Sequence, residues 1–132
     1  MTPIVFLPGM MCDARLFGPQ IAALSANRTL HFPPLSGHDD FETLAAEILA
    51  NAPPQFALAG LSMGGIVAME IIRQAPNRVE RIALMDTNPK AEANEVKAAR
   101  EPQMVKAMAG DLVSVMRNEM KPNYLTDGPR RN

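Results

Sequence analysis

Gly60-Leu61-Ser62-Met63-Gly64 constrains the fold of this chain more than any other stretch. The pentapeptide has the form G-x-S-x-G. It stands between an apolar run at 55–59, which reads as a strand, and a helical pattern over 65–74. A serine at the tip of a sharp strand-to-helix turn is expected in a strained backbone conformation, with its hydroxyl raised clear of the sheet. The residues two places to either side then crowd together, which calls for glycine at both. Chance placement gives this pattern in roughly one or two per hundred chains of such composition, before the strand and helix are required as context.

The flanking sequence repeats the alternation. Residues 3–7 are continuously apolar and end at Pro8-Gly9, as a strand buried on both faces does. A short helical pattern covers 19–25, and a short strand is expected at 29–32 before Pro33-Pro34. Residues 41–52 form the clearest helix, with Phe41, Leu44, Ala45, Ile48, Leu49 and Ala52 on one stripe and Asp39 with Glu42 in the place of a capping box. Pro76 stops the helix over 65–74, and a fourth strand is expected at 79–85. Strands alternating with helices predict right-handed crossovers and a parallel sheet. After Asp86 the sequence predicts two helices broken near Pro102, with Gly110-Asp111 as a further break and N-cap, and then a polar, frayed tail over 121–132.

Composition narrows the function classes. The 132 residues hold 13 Lys and Arg against 14 Asp and Glu, so nothing draws the chain to nucleic acid or to an anionic membrane. Cys12 is the single cysteine, which excludes an intrachain disulfide and suits a reducing compartment. The apolar residues 4–7 are too short for a signal core and are bounded by Pro3, Pro8 and Gly9. No stretch reaches the length of a membrane span. No cluster of His and Cys points to a metal, and no G-x-G-x-x-G points to a nucleotide cofactor. These features predict a cytoplasmic protein without metal or cofactor.

The order of strand, Pro8-Gly9-Met10, strand, helix, strand, Gly60-Leu61-Ser62-Met63-Gly64, helix, strand, Asp86-Thr87-Asn88-Pro89 resembles the α/β-hydrolase fold, and within it the small esterase-like members. The resemblance covers residues 3 to about 90. It implies a parallel four-stranded sheet with helices on both faces, the strand at 3–7 beside the strand at 55–59 and the second strand outside the first. Residues 90–120 resemble the helical cap of many members, giving divisions at 1–89, 90–120 and 121–132. The resemblance makes Ser62 the nucleophile and gives the oxyanion hole to the backbone N–H groups of Met10 and Met63. Gly9, Met11, His38 and Leu61 would border the pocket, and Asp86 is a candidate acid whose sequence Asp86-Thr87-Asn88-Pro89 also reads as an ordinary Asx turn. Cys12 reads as a small buried residue and His31 as a core residue.

One element of the family pattern is missing. The order in such enzymes is serine, acid, histidine, and no histidine follows Ser62. The expectation is therefore an N-terminal half of a serine hydrolase for a carboxylic ester or thioester, carrying nucleophile and oxyanion hole and weakly active or inactive alone. The alternative is a non-catalytic binding or interaction module that retains the pocket. A base supplied by another copy through His38 is a third arrangement. The fourth strand, exposed at its outer edge, is expected to drive self-association.

Overall fold

The computed structural model describes residues 1–124, so residues 125–132 of the tail lie outside the described residues. Four strands form one parallel sheet: β1 (Ile4–Leu7), β2 (Leu30–His31), β3 (Phe56–Leu61) and β4 (Val79–Met85), in the order β2-β1-β3-β4. Val5 lies opposite His31 and Leu58, and Gly60 lies opposite Leu7 and Leu84. The chain reverses its winding between β1 and β3, as expected. A crevice opens beyond the carboxyl ends of strands at such a reversal.

Side-chain alternation divides the core into two layers. Val5 and Leu7 of β1 and Phe56 and Leu58 of β3 face α2 (Phe41–Asn51) and α3 (Met63–Gln74), meeting Leu44, Ala45, Ile48, Val67 and Ile71. Phe6 and Ala59 face the opposite way and meet Phe17 and Leu24 of the segment that includes α1 (Gly18–Leu24). Helices therefore cover both faces. Phe6, Phe17 and Phe32 form an aromatic cluster with centroids 4.8 and 5.3 Å from Phe6. Each large apolar side chain so buried contributes about 1.5–3 kcal/mol.

Several local expectations are corrected. The α2 cap is Asp40, not Asp39: its carboxylate accepts from the Thr43 N–H at 2.6 Å. Two consecutive aspartates leave the cap ambiguous by one residue, and only the geometry chooses. Phe41 turns outward and is 42% exposed, while Leu44, Ala45, Ile48 and Leu49 form the buried stripe. The strand at 29–32 shortens to Leu30–His31 because it pairs on one side alone. Ala14–Phe17 forms a 3₁₀ turn capped by Asp13, an element without apolar periodicity to announce it.

Arg78 ties the layers together. Its guanidinium donates to the carbonyl oxygens of Leu49, Ala52, Pro53 and Pro54 at 2.7–3.1 Å and lies over the Phe56 ring. Helix α2 ends at Pro53-Pro54, which leaves its last carbonyls without helical partners. The planar fork of arginine satisfies several at once.

The chain divides after Pro89 into two units. The second begins with α4 (Asn94–Lys106), which runs through Pro102 without ending there. Proline removes one ladder bond, and on an exposed helix solvent can take the freed carbonyl. The interruption falls at the further break expected, Gly110, at φ 95°, within the π-type turn Ala107–Asp111. Asp111 precedes Leu112–Ser114 but makes no side-chain cap. Lys121–Asn123 forms a 3₁₀ turn, not frayed coil.

Candidate active site

Ser62 occupies the bend between β3 and α3 at φ 52° and ψ −115°, a conformation that is neither strand nor helix. Neighbouring contacts impose it. The Ser62 N–H donates to the Met85 carbonyl at 2.9 Å, continuing the β3–β4 ladder. The Ser62 carbonyl accepts from the Gly65 and Ile66 N–H groups at 2.9 and 3.3 Å, which already belong to α3. The Thr87 hydroxyl donates to the same oxygen at 2.8 Å. One residue thus belongs to the strand on one side and the helix on the other, and its exposed side chain stands at the tip.

The glycines of the motif are required by backbone contacts. A β-carbon on Gly60 would lie 2.4 Å from the Gly64 oxygen, the crowding the sequence suggests. A β-carbon on Gly64 would meet the Leu7 and Pro8 oxygens at 2.1 and 2.6 Å, so the second glycine admits the end of β1 and not its motif partner. Gly65, beyond the motif, leaves room for the Thr87 side chain, which would sit 2.6 Å from a β-carbon there.

The loop after β1 comes to Ser62. A β-carbon on Gly9 would stand 3.8 Å from Ser62 Cβ and 3.9 Å from the Leu61 oxygen. The Cys12 N–H donates to the Gly9 carbonyl at 3.1 Å, closing a turn with Met11 at a left-handed φ of 59°. Met10 is the exposed first corner of that turn. Met63 is the first residue of α3, and the first N–H groups of a helix have no partner within it. The positive end of the helix dipole adds to their pull on an anion.

A cleft of about 370 Å³ lies along these elements, lined by Gly9, Met11, Cys12, Met63 and, from the loop after β2, Phe32 to Ser36. Its lining is mostly apolar. Among the described residues Asp13 is its one charged member; Arg15, donating to it from side chain and backbone, holds the carboxyl below its usual range. Cys12 is exposed, contrary to its expected burial. Gly9 and Met11 border this cleft; Met10, Leu61 and His38 are not part of its lining. Leu61 packs instead beside Phe6 and Phe17. The His38 ring is held 2.5 Å from the Glu47 carboxylate on α2. His31 is half-buried against a separate cavity and is no core residue. Asp86 follows β4 at φ 45°, exposed, and among the described residues its carboxylate makes no hydrogen bond, so it forms no Asx turn. Among the described residues no group of His, Cys, Asp and Glu is arranged to hold a metal ion, and no helix is long and apolar enough to cross a membrane.

Sequence reasoning missed Thr87 and Gly65. The signal was a third glycine immediately after the motif, which costs helix stability and so needs a packing reason.

The model of the alpha/beta hydrolase family matches residues 4–130. This chain belongs to that family. Curated relatives include the pimeloyl-[acyl-carrier protein] methyl ester esterase of Aliivibrio salmonicida, 28% identical over 100 residues that cover 70% of this chain and 38% of the relative. The enzyme of the same name from Vibrio parahaemolyticus is 26% identical over 118 residues, covering 83% of this chain and 46% of the relative. The chain thus spans less than half the length of these two relatives. Among solved structures, the enol-lactonase from Burkholderia xenovorans LB400 superposes with a TM-score of 0.78 at 25% identity, over 96% of this chain and 53% of that one. A thermophilic esterase from Thermogutta terrifontis shares the fold with a TM-score of 0.65 at 20% identity, over 92% of this chain and 46% of that one.

Proposed function

We propose that Ser62 is the nucleophile of a serine hydrolase for carboxylic esters or thioesters with an apolar acyl group. The observation that carries this reading is the exposed serine at φ 52°, ψ −115° between β3 and α3, beside an apolar cleft. The ester chemistry in the names of the curated relatives supports it. Ser62 Oγ attacks the acyl carbonyl as its proton leaves to a base. The carbonyl oxygen takes up the negative charge and accepts from the N–H groups of Met63 and Met10. Collapse of the tetrahedral species expels the alcohol or thiol and leaves an acyl-serine, which water hydrolyses. Losing one such donor costs about 3–4 kcal/mol of barrier.

The base comes from outside these residues. No histidine follows Ser62, and His38 is held by Glu47. Without base, a serine triad retains only roughly 10³–10⁴-fold acceleration over water. The chain by itself therefore turns over esters weakly or not at all, with Asp86, just after β4, as its candidate acid and the helices after Lys90 as a cap-like segment. Its single free thiol, Cys12, is compatible with a cytoplasmic setting. The absent histidine equally supports a second reading, a binding module that keeps the cleft without catalysis.

Labelling with a fluorophosphonate separates the two. Covalent modification that disappears in Ser62→Ala identifies an activated hydroxyl and supports the hydrolase reading. Absence of labelling in the intact chain even when added imidazole supplies a base, with the fold verified, supports the binding module. Turnover at the rate of a complete esterase would refute the dependence on an outside base.

We also propose that the chain associates with itself through β4. None of the seven residues of this edge strand is fully buried, and Ile82 and Leu84 stand 42% and 44% exposed. An unprotected apolar edge recruits another strand.

A further inference from the structure

A second cavity lies between β2 and α2, about 400 Å³ in volume, and contains none of the residues assigned to ester chemistry. Its size falls in the range of small-molecule sites. The floor is apolar, formed by Val5 and Ile48, both buried. Phe32 and the two prolines after it make one wall, and the same three residues line the cleft near Ser62. Three polar side chains face this floor: His31 from β2, and Glu47 and Asn51 one turn apart on α2.

Each of these three groups can accept a hydrogen bond, and the Glu47 carboxylate can only accept. Glu47 presents a carboxylate, of which one oxygen meets His38 Nε2 at 2.5 Å. Asn51 donates one amide N–H to the Glu47 backbone carbonyl at 3.0 Å, and its side-chain oxygen accepts no hydrogen bond among the described residues. His31 makes no hydrogen bond among the described residues, and a neutral imidazole offers one acceptor nitrogen. Among the described residues no lysine or arginine lines the cavity. An acceptor-rich rim over an apolar floor disfavours a carboxylate or phosphate, which would face Glu47 without compensation. It favours a group with several donors and a positive charge.

We propose that this cavity binds a small primary amine, its ammonium shared by Glu47 and Asn51 and its apolar body lying on Val5, Ile48 and Phe32. An ammonium has three donors and no acceptor, which matches the three groups around the rim. Binding competes with His38 for Glu47, since both seek the same carboxylate. The inference stands whether or not Ser62 is a nucleophile, because no residue of the oxyanion turn or the elbow takes part.

The experiment is an NMR titration of the full chain with benzylamine and, in parallel, with phenylacetate, a body of similar shape and opposite charge. Benzylamine is expected to give saturable shifts at the Asn51 side-chain amide, the His31 ring and the Ile48 methyl groups, with phenylacetate binding at least about tenfold more weakly, as loss of a charge-assisted contact implies. Glu47→Gln should weaken benzylamine by a similar factor while the methyl spectrum of the core stays unchanged. His38→Ala should tighten it by freeing the carboxylate. Equal binding of the two probes, shifts confined to Cys12 and Met63, failure to saturate, or weaker binding in His38→Ala would each overturn the proposal.

Discussion

The Thr87 hydroxyl donates to the carbonyl oxygen of Ser62 across 2.8 Å, from the turn after β4 to the bend before α3. That oxygen also receives the N–H groups of Gly65 and Ile66, and the Thr87 side chain fills the space that Gly65 leaves open. Thr87→Val keeps the shape and removes the donor. We expect a loss of about 1 kcal/mol in urea unfolding, with Thr87→Ser close to wild type. Gly65→Ala drives a methyl into Thr87 and should cost about 1–3 kcal/mol. Equal stability of the valine and serine variants would remove the hydrogen bond from this account.

Backbone strain at Ser62 has its own signature. A non-glycine residue at φ 52° and ψ −115° stores roughly 1–3 kcal/mol. Ser62→Gly relieves this strain, against a cost of about 0.5–1 kcal/mol for ordering glycine on folding. The glycine variant should therefore be more stable than wild type by about 1 kcal/mol. Ser62→Ala, which keeps its β-carbon, should not gain. Chemical denaturation of the three proteins side by side decides it: a strained elbow predicts the order glycine above alanine, and the reverse order excludes strain.

Glu70 makes stability depend on acid. Its carboxyl, in a mostly buried side chain, accepts from Arg73 at 2.6 and 2.9 Å and from Gln74 at 2.8 Å, and these donors pull its pKa from 4.5 down to about 2. The contribution is fully present above about 4.5 and disappears as pH falls through about 2. Glu70→Gln should thus be less stable than wild type at pH 7, with the difference vanishing near pH 2. A side-chain carboxyl titration by NMR gives the midpoint directly. A midpoint at the ordinary glutamate value would contradict the pairing.

The elbow and the main helices were legible because each rests on a local pattern, whereas the strand order followed from the resemblance to the hydrolase fold. G-x-S-x-G specifies a bend, continuous apolar runs specify buried strands, and the stripe of Leu44, Ala45, Ile48 and Leu49 specifies a helix face. What escaped depends on contacts distant in sequence. Gly64 is dictated by Leu7 and Pro8, and Gly65 by Thr87, none of which a local pattern contains. His38 was expected at the cleft, but Glu47, nine residues away, holds it elsewhere. The break expected near Pro102 does not occur, because an exposed helix tolerates the missing donor, while the further break expected at Gly110 does, at a left-handed φ.

Strand β4 carries the last prediction. Its ladder with β3 shifts register at Phe56/Ala57, so the regular portion runs from Arg81 to Met85, centred on Ala83. A two-fold antiparallel pairing about Ala83 sets Ile82 against Leu84 of a second copy and Arg81 against Met85, with no like charges opposed over Arg81–Met85; Glu80 meets Asp86 only where the strand has ended. Centring on Arg81 instead would oppose two guanidinium groups, which is destabilising. Leu84→Lys introduces two ammonium groups into the favoured pairing while leaving the monomer core untouched, since Leu84 is exposed. Stability of this variant should lie within about 0.5 kcal/mol of wild type. In sizing with light scattering, wild type should shift from monomer to dimer as concentration rises, and Leu84→Lys should remain monomeric throughout. A wild type that stays monomeric, or a lysine variant that still dimerises, would show that this edge does not carry the association.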